Sequence, residues 1–228
     1  MTHSPGIAII TGSASGLGAA LVAEALRRQY HVLATDISDP PCVRHPTLAV
    51  EFVQGDVAEP ATVSALTDAL GASSGQIHLF NNIGRFSVGH FETMSPEEMH
   101  RLFQVNTIGP LALTLAVYRE MLCRGGGAIV NILSNSLHNL REGHSIYNAS
   151  KAAIQAFSAV LRAEARPKGI RVMSVYPGGM RTNFYERTGL PANFEHYMDP
   201  RRVAACIMNS LEQDGLYTPE LVIIPDYE

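Results

Sequence analysis

Apolar residues along the chain fall into short, nearly unbroken runs separated by longer stretches with helical spacing. The runs Gly6–Thr11, His31–Asp36, Ala49–Val53, Ile77–Asn81, Ala128–Leu133, Ile170–Tyr176 and Leu221–Ile224 predict seven strands. Most are continuous rather than alternating, as expected of parallel strands covered on both faces. Helices are predicted between them at about 16–29, 60–74, 95–122, 146–166 and 200–213. The third is expected as one helix, with Ser95 as N-cap, Pro96 in its first turn and Glu98 completing a capping box. Pro167 and Gly169 close the fourth. Strand–helix alternation throughout predicts a doubly wound α/β fold, a central parallel sheet of about seven strands with helices on both faces. No repeat or linker divides the sequence, so residues 1–228 are expected to form a single domain. A loop at about 179–199 is long enough to act as a lid.

Composition narrows the function classes. Hydrophobic residues make up 46% of the chain, enough for one sizeable core. The net charge of −4 and pI near 6.1 lack the basic footprint of a nucleic-acid binder. No run approaches the roughly 20 apolar residues of a membrane-spanning helix, and Met1–Gly6 does not open a signal peptide. Cys42, Cys123 and Cys206 are odd in number and widely spaced, which fits reduced thiols in a cytoplasmic protein. No metal site is expected, because neither these cysteines nor the nine histidines show metal-ligand spacing.

The first strand runs directly into Thr11-Gly12-Ser13-Ala14-Ser15-Gly16-Leu17-Gly18 and then a helix. Glycines there allow a tight turn and let a pyrophosphate approach N–H groups at the helix N-terminus. Asp36 ends the second strand 18 residues beyond Gly18. That is close to the spacing of roughly 20 at which an acidic residue binds the adenine ribose of a dinucleotide. A carboxylate there repels the 2′-phosphate of NADP, and no Lys or Arg lies between Gly12 and Gly18 or directly after Asp36. Arg44 is the nearest following base, so NAD is favoured over NADP. In the second half, Tyr147-Asn-Ala-Ser-Lys151 puts a phenol and an ammonium at i and i+4 on one helix face. A neighbouring cation favours the phenolate and so fits the tyrosine for proton transfer near neutral pH.

Together these motifs resemble the short-chain dehydrogenase/reductase family. Asp56-Val57, Asn81-Asn-Ile-Gly84, Asn106-Thr-Ile-Gly109 and Pro177-Gly178-Gly-Met-Arg-Thr182 match further family motifs in order, and the resemblance covers essentially the whole chain. Ile83 stands where the family usually has alanine, and Leu133 where it has the first of two serines. Ser134 lies 13 residues before Tyr147, the family's usual interval, whereas Ser136 lies 11 before it and is expected in a substrate loop.

The resemblance implies a Rossmann-type domain with strand order 3-2-1-4-5-6-7 and a catalytic set of Asn106, Ser134, Tyr147 and Lys151. It implies cofactor contacts from Gly12, Ser15, Gly16, Leu17, Gly18, Asp36, Asp56, Val57, Asn82, Gly84, Pro177, Gly178 and Thr182, besides Tyr147 and Lys151. By the same resemblance Tyr147 exchanges a proton with a small alcohol or carbonyl substrate and Ser134 hydrogen-bonds its oxygen. Lys151 binds the nicotinamide ribose, and Asn106 helps position a water relay. Arg85, Arg141 and Arg181 lie near the expected substrate cleft, and Phe184, Tyr185, Phe194 and Tyr197 populate the lid. The stripe Ala152, Ala156, Ala159 and Ala163 permits close helix packing, and relatives pair this helix across a two-fold axis, implying a homodimer or homotetramer. The competing readings are a non-catalytic dinucleotide-binding redox sensor and a nucleotide-sugar epimerase. Retention of both Tyr147 and Lys151 weighs against the first, and the short segment after Gly178 weighs against the second.

Overall fold

The computed structural model describes residues 6–40, 50–71, 75–184, 194–213 and 215–226. Seven strands, β1 (Ile7–Thr11), β2 (His31–Asp36), β3 (Val50–Gln54), β4 (Ile77–Asn81), β5 (Gly127–Ile132), β6 (Ile170–Pro177) and β7 (Glu220–Ile223), form one parallel sheet. Its order is β3-β2-β1-β4-β5-β6-β7, as the resemblance implied. The helices are α1 (Gly16–Arg27), α2 (Pro60–Gly71), α3 (Pro96–Phe103), α4 (Gly109–Cys123), α5 (Ser145–Ala165) and α6 (Pro200–Leu211).

The continuous apolar runs are explained by two cores. In β1, Ala8 and Ile10 point into one core with Leu21 and Ala25 of α1 and Ile207 of α6. Ile7 and Ile9 point into the other, with Leu66 of α2, Val117 of α4 and Leu161 of α5. Side chains alternate across a strand, so covering both faces requires every position to be apolar. No helix among the described residues is long and apolar enough to cross a membrane. Ala49, at the predicted start of β3, and residues 72–74, at the predicted end of α2, lie outside the described residues, as do Cys42 and Arg44.

The predicted third helix is divided. Between α3 and α4 the chain makes a π-helical turn over Gln104–Ile108, where the Gly109 N–H reaches back five residues to the Gln104 carbonyl. Pro110 supplies the reason, since proline has no N–H for the Asn106 carbonyl that a continuous α-helix would pair with it. The capping box is half made. Ser95 Oγ accepts the Glu98 N–H at 3.1 Å, but the Glu98 carboxylate turns to the Arg85 guanidinium at 3.1 Å.

One core residue carries a pH prediction. His78 on β4 is 7% exposed, packs 5.3 Å from the Tyr30 ring, and its Nδ1 has no hydrogen-bond partner. Burial pushes its pKa down from 6.5 to about 4, with a smaller contribution from Arg171. Between those values the unfolded chain takes up a proton that the folded chain refuses, so stability falls as the pH drops. The full cost is about 3 kcal/mol. Chemical denaturation should find this acid limb in the wild type and not in His78→Leu. Parallel curves for the two proteins would refute the assignment.

Candidate active site

A cleft of about 520 Å³ opens beyond the carboxyl ends of the strands, where the sheet order reverses between β1 and β4. The glycine turn forms its floor. Gly12 holds φ of +63° and Gly16 φ of +55°, conformations that favour glycine. A Cβ on Gly18 would lie 1.9 Å from the Gly12 carbonyl oxygen, so only glycine lets α1 begin this close to the turn. Ser15, the N-cap of α1, makes no side-chain capping bond. The first N–H groups of that helix are therefore without a side-chain cap, a fit for a phosphate group. Asn82 fastens the turn to the β4 loop, donating from Nδ2 to the carbonyls of Thr11 at 2.9 Å and Gly12 at 3.1 Å. Thr11 Oγ1 accepts the N–H groups of Asn82 and Ile83, each at 3.0 Å.

Asp36 stands at one end of the cleft. Its carboxylate accepts the Ala14 N–H at 3.0 Å and the Ser38 N–H at 2.9 Å, so two backbone donors fix its position. Asp56, Gly84, Pro177, Gly178 and Thr182 also line the cleft. Val57 does not; it is 1% exposed in a core, with its Cγ2 near Gly109.

Tyr147 and Lys151 lie one turn apart on α5 and both line the cleft, though each is only 4% exposed. The Asn131 Nδ2, on β5, donates to Ser158 Oγ at 2.8 Å and ties this helix to the sheet. Lys151 Nζ donates to the Ile132 carbonyl at 2.9 Å, and desolvation pushes its pKa down from 10.5 to about 8. At neutral pH it is still mostly charged. Gly84 makes room for it, since a Cβ there would lie 3.3 Å from Nζ. Phe86 meets the Tyr147 ring edge-on at 4.8 Å, stacks on Phe184 at 5.9 Å, and touches the His144 ring at 5.2 Å.

Ser134 lines the cleft at the end of β5, as its spacing from Tyr147 predicted. Ser136 does not line it and instead lies behind Ser134, within hydrogen-bond distance of that hydroxyl. Asn106 is also set back. Its Nδ2 donates to the Arg85 carbonyl at 2.9 Å and to Ser150 Oγ at 3.0 Å, and its Oδ1 accepts the Arg85 N–H at 2.7 Å. Arg85 lines the cleft with its charge paired to Glu98, whereas Arg141 and Arg181 do not line it. Sequence reasoning missed Phe86, Val105 and Met180, all in the cleft wall. Each sits beside or within a sequence motif: Phe86 two residues after Gly84, Val105 before Asn106, and Met180 between Gly178 and Thr182.

The far wall is pinned at its base. Met180 and Met198 form a parallel bridge, with the Met198 N–H donating to the Gly179 carbonyl and the Arg181 N–H to the Met198 carbonyl, both at 3.0 Å. Tyr185 lies outside the described residues, as does the Phe194 side chain.

The short chain dehydrogenase family model matches residues 6–190. D-threitol dehydrogenase of Mycolicibacterium smegmatis is 32% identical over 181 residues, 75% of this chain and 68% of that protein. A short-chain dehydrogenase structure from Streptomyces avermitilis superposes with a TM-score of 0.83 at 29% identity, covering 98% of this chain and 89% of the other. A short-chain dehydrogenase from Sphingobium yanoikuyae in complex with NADPH gives 0.81 at 28% identity, with the same coverage. With the family model matched over most of its length and the strand order complete, the chain belongs to the short-chain dehydrogenase/reductase family and is a dehydrogenase or reductase.

Proposed function

We propose that the protein transfers hydride between NAD(H) and a secondary alcohol or ketone, with Tyr147 moving the proton. The observation that carries this reading is a buried phenol and a buried ammonium one helical turn apart, opening on the same cleft as the glycine turn. The bound nicotinamide would supply or accept the hydride. Tyr147 gives its proton to the substrate oxygen in reduction and takes one from the alcohol in oxidation. Lowering an ordinary tyrosine pKa from about 10 towards 7 requires about 4 kcal/mol. A single positive charge about 5 Å away supplies about 3 kcal/mol at an effective dielectric constant of about 20. The Lys151 ammonium, one helical turn away, acts in that direction. Ser134 serves the substrate oxygen, and Asn106 acts as a positioning residue through Arg85 and Ser150.

Nicotinamide absorbance, followed across a panel of ketones, diketones and secondary alcohols, tests the reading. Turnover with the NADH/NAD pair is the expected result. Tight NADH binding without turnover across the panel would favour the redox-sensor alternative.

The preference for NAD rests on Asp36. The Sphingobium relative holds NADPH, but here a 2′-phosphate would meet a carboxylate locked by Ala14 and Ser38. Like charges about 4 Å apart repel by about 1 kcal/mol in water and about 4 kcal/mol at an effective dielectric constant of about 20. Asp36→Ala should therefore raise NADPH affinity relative to NADH by at least about tenfold. A ratio unchanged by the substitution would refute the preference.

The assembly reading is a homodimer or homotetramer. Its support is an exposed face on α4 and α5, where Leu115, Leu122 and Val160 are 54%, 42% and 61% exposed beside exposed Ala156, Ala159 and Ala163. Light scattering that returned a particle of only 24.7 kDa would overturn it.

A further inference from the structure

Ser134 has polar company behind the cleft wall. Its Oγ accepts the Ser136 N–H at 3.1 Å and lies 2.9 Å from the Ser136 hydroxyl. Ser136 Oγ in turn lies 2.7 Å from Asn148 Oδ1, while Asn148 Nδ2 donates to the Ser136 carbonyl at 3.1 Å. The last contact orients the amide, because its nitrogen is committed to a carbonyl and its oxygen must then face the hydroxyl.

Hydrogen counting fixes the direction of this chain. An amide oxygen only accepts, so the single Ser136 hydroxyl hydrogen lies on the line to Asn148. Ser136 Oγ then accepts from Ser134, and the Ser134 hydrogen points away from the cleft. Stabilising charge on a substrate oxygen needs that hydrogen pointing into the cleft. Both conditions are met if the chain reverses. Ser136 turns its hydrogen from Asn148 to Ser134, and Ser134 gives its own to the substrate. The reversal leaves Asn148 Oδ1 facing Ser136 Oγ with no hydrogen between them, a cost that is offset only when charge develops on the substrate oxygen.

We propose that Ser136 and Asn148 are positioning residues forming a reversible hydroxyl relay. The relay holds the Ser134 hydrogen out of the cleft at rest and releases it to the substrate oxygen. The proposal rests on the reading of Ser134 as the donor to that oxygen. It also explains a use for Ser136 beyond lining a loop, and it ends on Asn148, the neighbour of Tyr147 in the chain.

Asn148→Asp tests the relay with little change of shape. A carboxylate binds the Ser136 hydrogen more tightly than an amide does and locks the resting order. The expected result is a kcat at least about tenfold lower for the panel ketone reduced fastest, with NADH affinity unchanged and some thermal stability lost with the bond to the Ser136 carbonyl. The new charge also acts through space on Tyr147, so the same substitution is repeated in a Ser136→Ala background. There the relay is cut, and the penalty should shrink to about threefold or less. Equal penalties in the two backgrounds would overturn the proposal. Neutron diffraction from the deuterated wild-type protein with NADH needs neither turnover nor a variant. Deuterium on Ser136 aimed at Asn148, with that on Ser134 aimed at Ser136, is expected. A Ser134 deuterium aimed into the cleft would overturn the proposal. The neutron result is decisive even if no ketone is reduced, which keeps failure of the relay distinct from failure of the hydride-transfer reading.

Discussion

Replacing Tyr147 by phenylalanine is expected to lower kcat by at least about 10³-fold while NADH affinity changes by less than about threefold. The substitution keeps the buried ring and its edge-on contact with Phe86 and removes only the hydroxyl. General acid–base catalysis contributes about 10²- to 10⁴-fold, and no other described cleft-lining group combines burial, a titratable proton and a neighbouring ammonium. Steady-state absorbance and NADH fluorescence titration measure the two quantities. A variant with more than a tenth of wild-type kcat would assign the proton to another group.

Lys151→Met should lose activity on a similar scale, about 10³-fold, and at the same time make the free protein more stable. The two effects share one cause. Lys151 is desolvated with no carboxylate partner among the described residues, and its pKa falls to about 8. An unfolded lysine near 10.5 binds its proton more readily, so at pH 7 the burial opposes folding by about 3 kcal/mol. Methionine fills a similar volume without charge, at the loss of the bond to the Ile132 carbonyl, about 1 kcal/mol. A net gain of about 2 kcal/mol is expected in denaturant unfolding at pH 7. By linkage the gain fades as the pH rises from 8 towards 10.5, because the wild-type lysine then loses its proton in both states. A destabilised variant would mean that the ammonium is better solvated than its burial suggests. Lys151 is thus a residue whose charge the fold tolerates at a cost.

The sheet and the cleft floor could be read from the sequence because backbone chemistry writes them locally. Only glycine suits Gly12, Gly16 and Gly18, and only two-sided burial asks for a run such as Ile7–Ile10. Tyr147 and Lys151 were legible because one helical turn sets their geometry. The rest depended on partners far apart in sequence. Asn106 could be picked out by motif, but the partners of its amide, Arg85 and Ser150 44 residues later, could not. Glu98 fits a capping box until Arg85, 13 residues earlier, claims its carboxylate. Spacing from Tyr147 preferred Ser134, which lines the cleft, but spacing carries no information about what lies behind a side chain, here Ser136. The break after α3 did have a signal, since Pro110 sits inside the predicted third helix.

The bridge between Met180 and Met198 gives the enzyme a cassette. Met180 and Met198 meet in one zipped base, beside but not within the sheet. Chain closure becomes costlier only logarithmically with length, about 0.6 kcal/mol per doubling. Segments of quite different length and sequence can therefore be exchanged within this interval, provided that Thr182, beside Gly16, and Phe184, stacked on Phe86, are kept. A molecule built this way can take new sequence in that segment, by evolution or by transplantation, while the sheet and the glycine turn are inherited unchanged.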